Sequence, residues 1–270
     1  MRAAHRLLIG LLGLAACPRL NEAPGASPQI GATTVALPLA KALDRASETL
    51  FGDLVADAYR AAGPADSQVG FINSGSIRCE SPSFPATADN QGCVGQAIAI
   101  GPITAQELSD VLPFEDEDHL VSVAVTGPAL KSTLERSLSG LPAKKSAWFL
   151  QVSGLSFEGD CSRAAQVVQT DPSGNYSAIV KEGSRVLAID IAGQPVSFTD
   201  TTTTYTVIAN SYTALGKDGH LALAAACAAQ GCAAFDPSAT DLDTVTLYFE
   251  KHNPVSPQLG NRIQLVNCGP

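Results

Sequence analysis

The sequence has 270 residues, a formal net charge of −9, and 45% hydrophobic against 16% charged residues. This composition supports a folded core and excludes an intrinsically disordered chain. It also argues against a nucleic-acid partner, because phosphate binding needs a basic face and the seventeen Lys and Arg residues form no visible cluster. Small molecules or proteins are the expected partners.

The N-terminal segment, residues 1–16, has the pattern of a signal peptide. Two arginines precede the apolar run 7–16, which is too short to span a bilayer. The run ends in Leu14-Ala-Ala-Cys17, a small-residue cleavage site followed by the cysteine that a bacterial lipoprotein acylates. We therefore expect export to the bacterial cell envelope, facing the periplasm or the exterior, with a lipid anchor on Cys17 as the only membrane attachment. The alternative is an ordinary cleaved signal peptide.

A lipidated N-terminus and a linker rich in Pro, Ala and Gly are expected over residues 17–36, and one domain over residues 37–270. Helix and strand signals alternate without a repeat, which predicts an α+β fold with a mixed β-sheet flanked by helices. Ser47 is the predicted N-cap of a first helix, because apolar residues recur at helical spacing to about residue 61. Thr104-Ala-Gln-Glu107 is a capping box at the start of a short helix.

The rest of the domain also mixes strands and helices. A strand over 120–125 leads into a helix that begins near Pro128, with Leu130, Leu134 and Leu138 on one face. β-branched residues predict further strands that we expect to share one sheet, at 149–157, 186–191, 196–198 and 204–209. The alanine-rich stretch 221–234 is interpreted as an insertion held by a disulfide. A helix over 242–252 and a strand over 262–266 end the domain.

Cysteine usage predicts a disulfide framework. Without the lipidated cysteine an even set remains, and it contains no Cys-x-x-Cys pair for a metal site. The set is Cys79, Cys93, Cys161, Cys227, Cys232 and Cys268. Close spacing favours pairing Cys79 with Cys93 and Cys227 with Cys232, which leaves Cys161 for Cys268, although other pairings stay open.

Catalytic motifs are absent from the sequence. His119, His220 and His252 lack metal-binding spacing, and there is no nucleophile elbow, phosphate loop or dinucleotide fingerprint. The acidic run 115–118 lacks the spacing of a calcium loop and is interpreted as a solvated loop. We expect no metal site, no cofactor and no catalysis by this chain alone.

Three loops at the ends of predicted elements have residue types suited to a planar, polar ligand. The loop 71–78 presents Asn73 and Arg78 at a small-residue turn, residues 112–114 end in Phe114, and the loop 210–219 contains Tyr212 and Asp218. Taken singly, each loop is more often a turn than a site, and such an aromatic more often belongs to the core.

Six blocks of sequence, in order over about residues 45–265, resemble the C-terminal domain of 5'-nucleotidases. Ser47-Glu-Thr-Leu-Phe-Gly-Asp-Leu-Val-Ala-Asp-Ala58 is similar to the family's Glu-x-x-Leu-Gly-Asn-Leu-x-Ala-Asp-Ala helix, and Asn73-Ser-Gly-Ser-Ile-Arg78 to its Asn-x-Gly-Gly-Ile-Arg loop. The segments 101–114, 149–154, 212–219 and 254–263 complete the order.

The resemblance implies that this domain binds the base and sugar of a nucleotide, while a separate N-terminal metallophosphoesterase domain performs hydrolysis. Phe114 and Tyr212 are then expected to enclose the base, and Asp218 to bind ribose hydroxyls. The substrate-binding residues implied by the resemblance are Arg45, Asn73, Arg78, Phe114, Asp116, Tyr212 and Asp218. Asn73 and the two arginines would reach the polar and phosphate side, and the backbone at Ser153 or Gly154 would offer further contacts.

The sequence departs from the family pattern at three of the site positions. Tyr212 replaces the usual phenylalanine and keeps a stacking face. Asp116 lies near the position of an asparagine that touches the base, and Lys217 replaces a glycine beside the sugar site. These departures put base preference and sugar binding in doubt.

Three hypotheses follow from the sequence. The first is a non-catalytic envelope domain that recognises a nucleoside, nucleotide or nucleotide-sugar. The second is the substrate-binding half of a split 5'-nucleotidase that acts with a separate metallophosphatase chain. The third is a structural remnant without a ligand.

Overall fold

A computed structural model describes residues 27–78, 96–114, 119–232, 234–236 and 238–269. The predicted signal peptide, Cys17, Cys79, Cys93 and Asp116 lie outside these residues. The fold is α+β, with mixed sheets and flanking helices as predicted. None of the helices in the described ranges is long and apolar enough to cross a membrane.

The described ranges contain the following elements. The strands are β1 (Gln29–Thr33), β2 (Leu37–Leu39), β3 (Val69–Asn73), β4 (Gln96–Ile98), β5 (Gly101–Thr104), β6 (Leu120–Thr126), β7 (Leu150–Ser153), β8 (Leu155–Asp160), β9 (Val167–Thr170), β10 (Tyr176–Lys181), β11 (Val186–Ile191), β12 (Gln194–Pro195), β13 (Thr204–Asn210) and β14 (Ile263–Val266). The helices are α1 (Lys41–Asp44), α2 (Leu50–Ala62), α3 (Ala105–Val111), α4 (Gly127–Leu138), α5 (Ser211–Ala214), α6 (Leu221–Gln230) and α7 (Asp241–Lys251).

The central sheet has the strand order β6-β13-β3-β7, and both of its faces are covered. On β3, Phe71 belongs to the hydrophobic core that includes the leucines of α4, and Ile72 belongs to a second core that includes the apolar residues of α2. All five residues of β3 are buried, because successive side chains point to opposite faces and each face meets helices.

The prediction that the later strands share one sheet was wrong. The stretch 149–157 is divided at Gly154, whose φ of +74° turns the chain, so β7 joins the central sheet and β8 joins a second sheet with the order β12-β11-β8-β14. A Cβ at Gly154 would lie 1.9 Å from the carbonyl oxygen of Gln68, so the turn requires glycine. The predicted strand 196–198 is also wrong, because the strand that follows the turn is β12, Gln194–Pro195, and Val196 adds one backbone hydrogen bond to Ile189 of β11.

Two helices and one strand differ from the sequence prediction. Thr49, not Ser47, caps α2, since its Oγ1 accepts a hydrogen bond from the Gly52 amide at 3.2 Å. Residues 221–230 form α6, which packs on α4 and β6 with Leu223 buried, so this stretch is part of the core and not an insertion. Strand β1 lies within the predicted linker and pairs with β5, and its Ile30 is buried.

Two of the three predicted disulfides lie in the described residues. Cys161 is bonded to Cys268 and Cys227 to Cys232, as the spacing favoured. The Cys161–Cys268 bond joins the residue that follows β8 to the segment that follows β14. The hairpin β9–β10 was not predicted, since its strands are short and largely exposed.

Candidate functional site

The candidate site lies at the edge of the central sheet where the parallel strands β3 and β13 end. Ala209 pairs with Phe71, so the last residues of the two strands, Asn210 and Asn73, come to the same edge. The antiparallel neighbours β6 and β7 begin there, which brings the segments before them to the same place. In sheets covered by helices, ligands commonly bind beyond the carboxyl ends of parallel strands.

Asn73 is a buried hub of hydrogen bonds. Its Oδ1 accepts from Ser76 Oγ at 2.7 Å, from Thr213 Oγ1 at 3.2 Å and from Asn210 Nδ2 at 3.3 Å. Its Nδ2 donates to Asp218 Oδ2 at 3.1 Å. Because the Asn210 amide nitrogen can only donate and an ionised Asp218 carboxylate can only accept, the Asn73 oxygen faces Asn210 and its nitrogen faces Asp218.

Asp218 lies in a turn of left-handed backbone. Gly216, Asp218 and Gly219 have φ of 86°, 56° and 84°, a conformation that aspartate tolerates better than most residues. Burial raises the pKa of Asp218, and this outweighs the hydrogen bond from Asn73 and the nearby arginines, which lower it. When ionised, the carboxylate is an acceptor for hydroxyl groups, and it faces the cavity described below.

The aromatic side chains of Phe114 and Tyr212 lie outside both hydrophobic cores. Phe114 is half-buried, and Tyr212 is 40% exposed. The Arg78 Cζ lies 5.2 Å from the centre of the Phe114 ring, in cation–π range, and the Arg78 amide donates to the carbonyl of Val111 at 2.8 Å. The loop after β3 and the chain after α3 are therefore joined beside the site.

These segments enclose one cavity of about 180 Å³. Its lining residues are Asn73, Gly75, Ser76, Arg78, Phe114, Ala147, Tyr212 and Asp218. The cavity thus brings together most of the residues that the sequence singled out. Arg45 does not line it but lies close enough to Asp218 to lower the pKa of that carboxyl. Neither Ser153 nor Gly154, expected to offer backbone contacts, lines this cavity, and the Ser153 hydroxyl accepts from Arg60 Nε at 2.8 Å.

Sequence reasoning missed the residues behind the site. Arg136 Nε donates to the Asp218 carbonyl at 2.7 Å, and His220 Nε2 is 3.0 Å from the carbonyl oxygen of Trp148. Burial lowers the pKa of His220 to about 3, so this histidine is neutral at physiological pH. Ala147 lines the cavity without a chemical signal in the sequence, and only the pairing of β7 with β3 places it there.

The site offers stacking faces, a carboxylate, an amide and a guanidinium around one small cavity. Within the described ranges, no group of three or more His, Cys, Asp or Glu side chains is arranged to hold a metal ion. The arrangement suits reversible recognition of a ring that has polar substituents.

Three solved structures resemble this fold. The 5'-nucleotidase precursor from Thermus thermophilus matches with a TM-score of 0.65 and 26% identity, over 88% of this chain and 39% of that chain. NAD nucleotidase from Haemophilus influenzae matches with a TM-score of 0.60 and 17% identity, over 89% of this chain and 38% of that one. A putative 5'-nucleotidase from Staphylococcus aureus matches with a TM-score of 0.58 and 15% identity, over 88% of this chain and 41% of that chain. At such identities the last two show the fold alone.

This chain therefore spans about two fifths of the length of these solved relatives. Comparison with curated protein sequences gives no match. The family model for the 5'-nucleotidase C-terminal domain matches residues 29–225, which is most of the chain and includes every described residue of the candidate site. The chain belongs to the 5'-nucleotidase C-terminal domain family.

Proposed function

We propose that this protein recognises a nucleoside or nucleotide, with the base held between Phe114 and Tyr212, and that it is not catalytic on its own. The observation that supports this function is the cavity itself. Two partly exposed rings, from segments far apart in the sequence, line it together with Asp218 and Arg78. Membership of the 5'-nucleotidase C-terminal domain family favours a nucleotide over other planar ligands.

Each side chain has a role that follows from its chemistry. Stacking on the two rings contributes about 1–3 kcal/mol per base and tolerates different bases. The Asp218 carboxylate accepts hydrogen bonds from ribose hydroxyls, and Asn73 keeps it in place. Arg78, at the edge of the cavity, attracts a phosphate group.

The size of the cavity limits how much of the ligand is enclosed. At about 180 Å³ it is smaller than the roughly 300–1,000 Å³ of typical ligand clefts. We therefore place the base and part of the sugar inside, and the phosphate or sugar-nucleotide extension at the mouth. Nucleosides, nucleotides and nucleotide-sugars all have a base and a ribose, so such a site is open to each of these classes.

The cellular setting is part of the proposal. An apolar run over residues 7–16 followed by Cys17 supports export and lipid anchoring in the bacterial envelope, with the domain facing the periplasm or exterior. Disulfides such as Cys161–Cys268 are stable in that oxidising setting.

A second candidate function is the substrate-binding half of a split 5'-nucleotidase. It is supported by the length of the solved relatives, since the match covers only 39% of the 5'-nucleotidase precursor from Thermus thermophilus. In this case a separate metallophosphatase chain supplies the metals and the hydrolytic step. Phosphatase activity that arises only when such a chain is added to this protein would favour this candidate over the first.

Isothermal titration calorimetry with adenosine, AMP and UDP-glucose tests the proposed function. We expect saturable binding of at least one of them to the wild type, and none to the double variant Phe114→Ala, Tyr212→Ala. The absence of binding heat with all three ligands would overturn the proposal and favour a structural remnant. The purified chain supplemented with zinc or manganese should show no phosphatase activity, and clear turnover would contradict both candidate functions.

A further inference from the structure

Arg136, on α4, is a buried cation that interacts electrostatically with Asp218 but not at ion-pair distance. Its residue is 5% exposed, and no described carboxylate forms an ion pair with it. Its Nη2 has no hydrogen-bond partner among the described residues. Burying a guanidinium is costly unless its surroundings stabilise the charge. An apolar side chain would fill the same space without this cost. We therefore infer the role of Arg136 from the contacts that its guanidinium makes.

Those contacts are two aromatic rings, the backbone carbonyl of Asp218, and the Ser139 hydroxyl, to which Nη1 donates at 3.3 Å. The Arg136 Cζ lies 4.0 Å from the centre of the Trp148 ring and 4.9 Å from that of Tyr176, so cation–π contacts on both rings stabilise the charge and fix the plane of the guanidinium. In this orientation Nε donates to the carbonyl oxygen of Asp218 at 2.7 Å. The carbonyl is therefore held by a charge-assisted hydrogen bond.

The turn around Asp218 is shaped to fit Arg136. Asp218 has a φ of 56°, in the left-handed region, which costs less for aspartate than for most residues but still needs support from its neighbours. At Gly219, a Cβ would lie 2.7 Å from Arg136 Nε, so this glycine allows the guanidinium to reach the neighbouring carbonyl. The backbone of Asp218 is held by Arg136 on one side, and its carboxylate by Asn73 on the other.

We propose that Arg136 is a positioning residue that holds Asp218 in the conformation needed to recognise the ribose hydroxyls, and so sets a preference for ribonucleosides. This inference rests on the proposed function. It also gives the hairpin β9–β10 a role, because Tyr176 of that hairpin supplies one of the rings that orient the guanidinium.

The test compares adenosine with 2',3'-dideoxyadenosine, which lacks the hydroxyls. In the wild type we expect adenosine to bind roughly 10- to 100-fold more tightly, the range supplied by a hydrogen bond to a charged group. Arg136→Met keeps a long side chain against both rings but removes every donor, and we expect this preference to be largely lost. Arg136→Lys restores a donor without a planar group and should recover part of the preference.

The matched control is Lys144→Met, because Lys144 Nζ lies 4.8 Å from the same Trp148 ring, whereas Asp218 is hydrogen-bonded by Asn73 and Arg136. This variant should keep the full preference for adenosine. Affinity for 2',3'-dideoxyadenosine should stay the same in all variants. If Arg136→Met weakened the binding of both ligands equally, or if Lys144→Met also abolished the preference for adenosine, Arg136 would have only a structural role. Either result would overturn the inference.

A second readout needs no ligand. The NMR ¹³C carbonyl shift of Asp218 reports the hydrogen bond from Arg136, and we expect it to change in Arg136→Met but not in Lys144→Met. If the wild type binds no nucleoside, the proposed function fails, and the part of the inference that concerns ribose fails with it. An unchanged carbonyl shift in folded Arg136→Met would overturn the positioning role itself, whether or not nucleosides bind.

Discussion

Asn73 Nδ2 donates a hydrogen bond to Asp218 Oδ2 at 3.1 Å, although 145 residues separate the two in the sequence. The contact forms because β3 and β13 run parallel and end at the same edge of the central sheet. It fixes a carboxylate of raised pKa beside a cavity that two aromatic side chains also line. The proposed recognition of a ribose depends on this pair.

The protonation of Asp218 should control nucleoside affinity. Its pKa is raised by burial, so the carboxylate becomes protonated at a higher pH than an ordinary aspartate, and it then offers fewer acceptor sites to the ribose. Adenosine affinity should therefore fall as the pH is lowered through this raised pKa. Asp218→Asn should bind more weakly at neutral pH and lose that pH dependence. Calorimetric titrations over a series of pH values measure both effects, and a flat wild-type profile would contradict the assignment.

The aromatic rings should account for most of the base affinity. Phe114→Ala or Tyr212→Ala is expected to weaken adenosine binding by roughly 5- to 150-fold, which corresponds to stacking energies of about 1–3 kcal/mol. Phe235→Ala is the matched control, because Phe235 is a similarly exposed aromatic that does not line this cavity. Equal affinities in all three variants would show that base stacking does not contribute to binding.

Arg78 should distinguish nucleotides from nucleosides. Arg78→Met removes the guanidinium, so AMP should lose more affinity than adenosine does, by roughly 10-fold for one charge-assisted hydrogen bond. The ratio of the two affinities separates this effect from the contact that Arg78 makes with Phe114. Arg163→Met changes an exposed arginine that pairs with Asp160 and should leave the ratio as it is. A ratio unaffected by Arg78→Met would mean that this arginine does not contact phosphate.

Local patterns in the sequence were enough to predict several helices. The capping box at Thr104 forms as expected, with Thr104 N donating to Glu107 Oε2 at 2.9 Å and Glu107 N to Thr104 Oγ1 at 3.2 Å. The leucine stripe of α4 is fully buried. Such signals involve residues that are close together in the sequence, so they can be recognised without knowledge of the fold.

Features that depend on distant partners were not predictable. Strand β1 is stabilised by β5, which lies some 70 residues later, and Gly154 divides a strand because the backbone at Gln68 lies against it. The candidate site likewise contains residues that local motifs identify and residues whose role depends on distant partners. Phe114, Tyr212 and Asp218 belong to motifs and were identified, whereas Arg136 resembles any surface arginine on a helix until Trp148 and Tyr176 are placed around it.

The buried carboxyl of Asp53 should make stability depend on pH. Burial and the neighbouring Glu48 raise its pKa to about 8 despite Arg262, whose Nε lies 3.6 Å from Asp53 Oδ2. A raised carboxyl pKa favours the neutral form in the fold, so stability present at about pH 4 is lost as the pH rises toward 8. The family motif has asparagine at this position. Asp53→Asn removes the ionisation that lowers the free energy of unfolding, so it should stabilise the protein at pH 8 by on the order of 2 kcal/mol.

Urea unfolding at pH 5 and pH 8 measures this effect for Asp53→Asn. The stabilisation should be much smaller at pH 5, where the wild-type carboxyl is already neutral. Glu250→Gln changes an exposed carboxylate on α7 and should alter stability little at either pH. A stabilisation of the same size at both pH values would show that ionisation of Asp53 is not the cause.

The two observed disulfides should differ in their effect on stability. Cys161 and Cys268 are 107 residues apart, whereas Cys227 and Cys232 are 5 apart. Loop-closure entropy predicts upper limits of about 5 kcal/mol for the long loop and about 2 kcal/mol for the short one. Replacing Cys161 and Cys268 by serine should lower the unfolding free energy more than replacing the other pair. The reverse order would show that strain or native contacts outweigh loop closure.

A crystal structure of the protein with adenosine tests the proposed recognition site most directly. We expect the adenine ring between the side chains of Phe114 and Tyr212, with ribose hydroxyls about 2.6–3.0 Å from the Asp218 carboxylate. Adenosine bound at another surface, or a cavity closed by direct contact of the two rings while adenosine is saturating, would contradict the account.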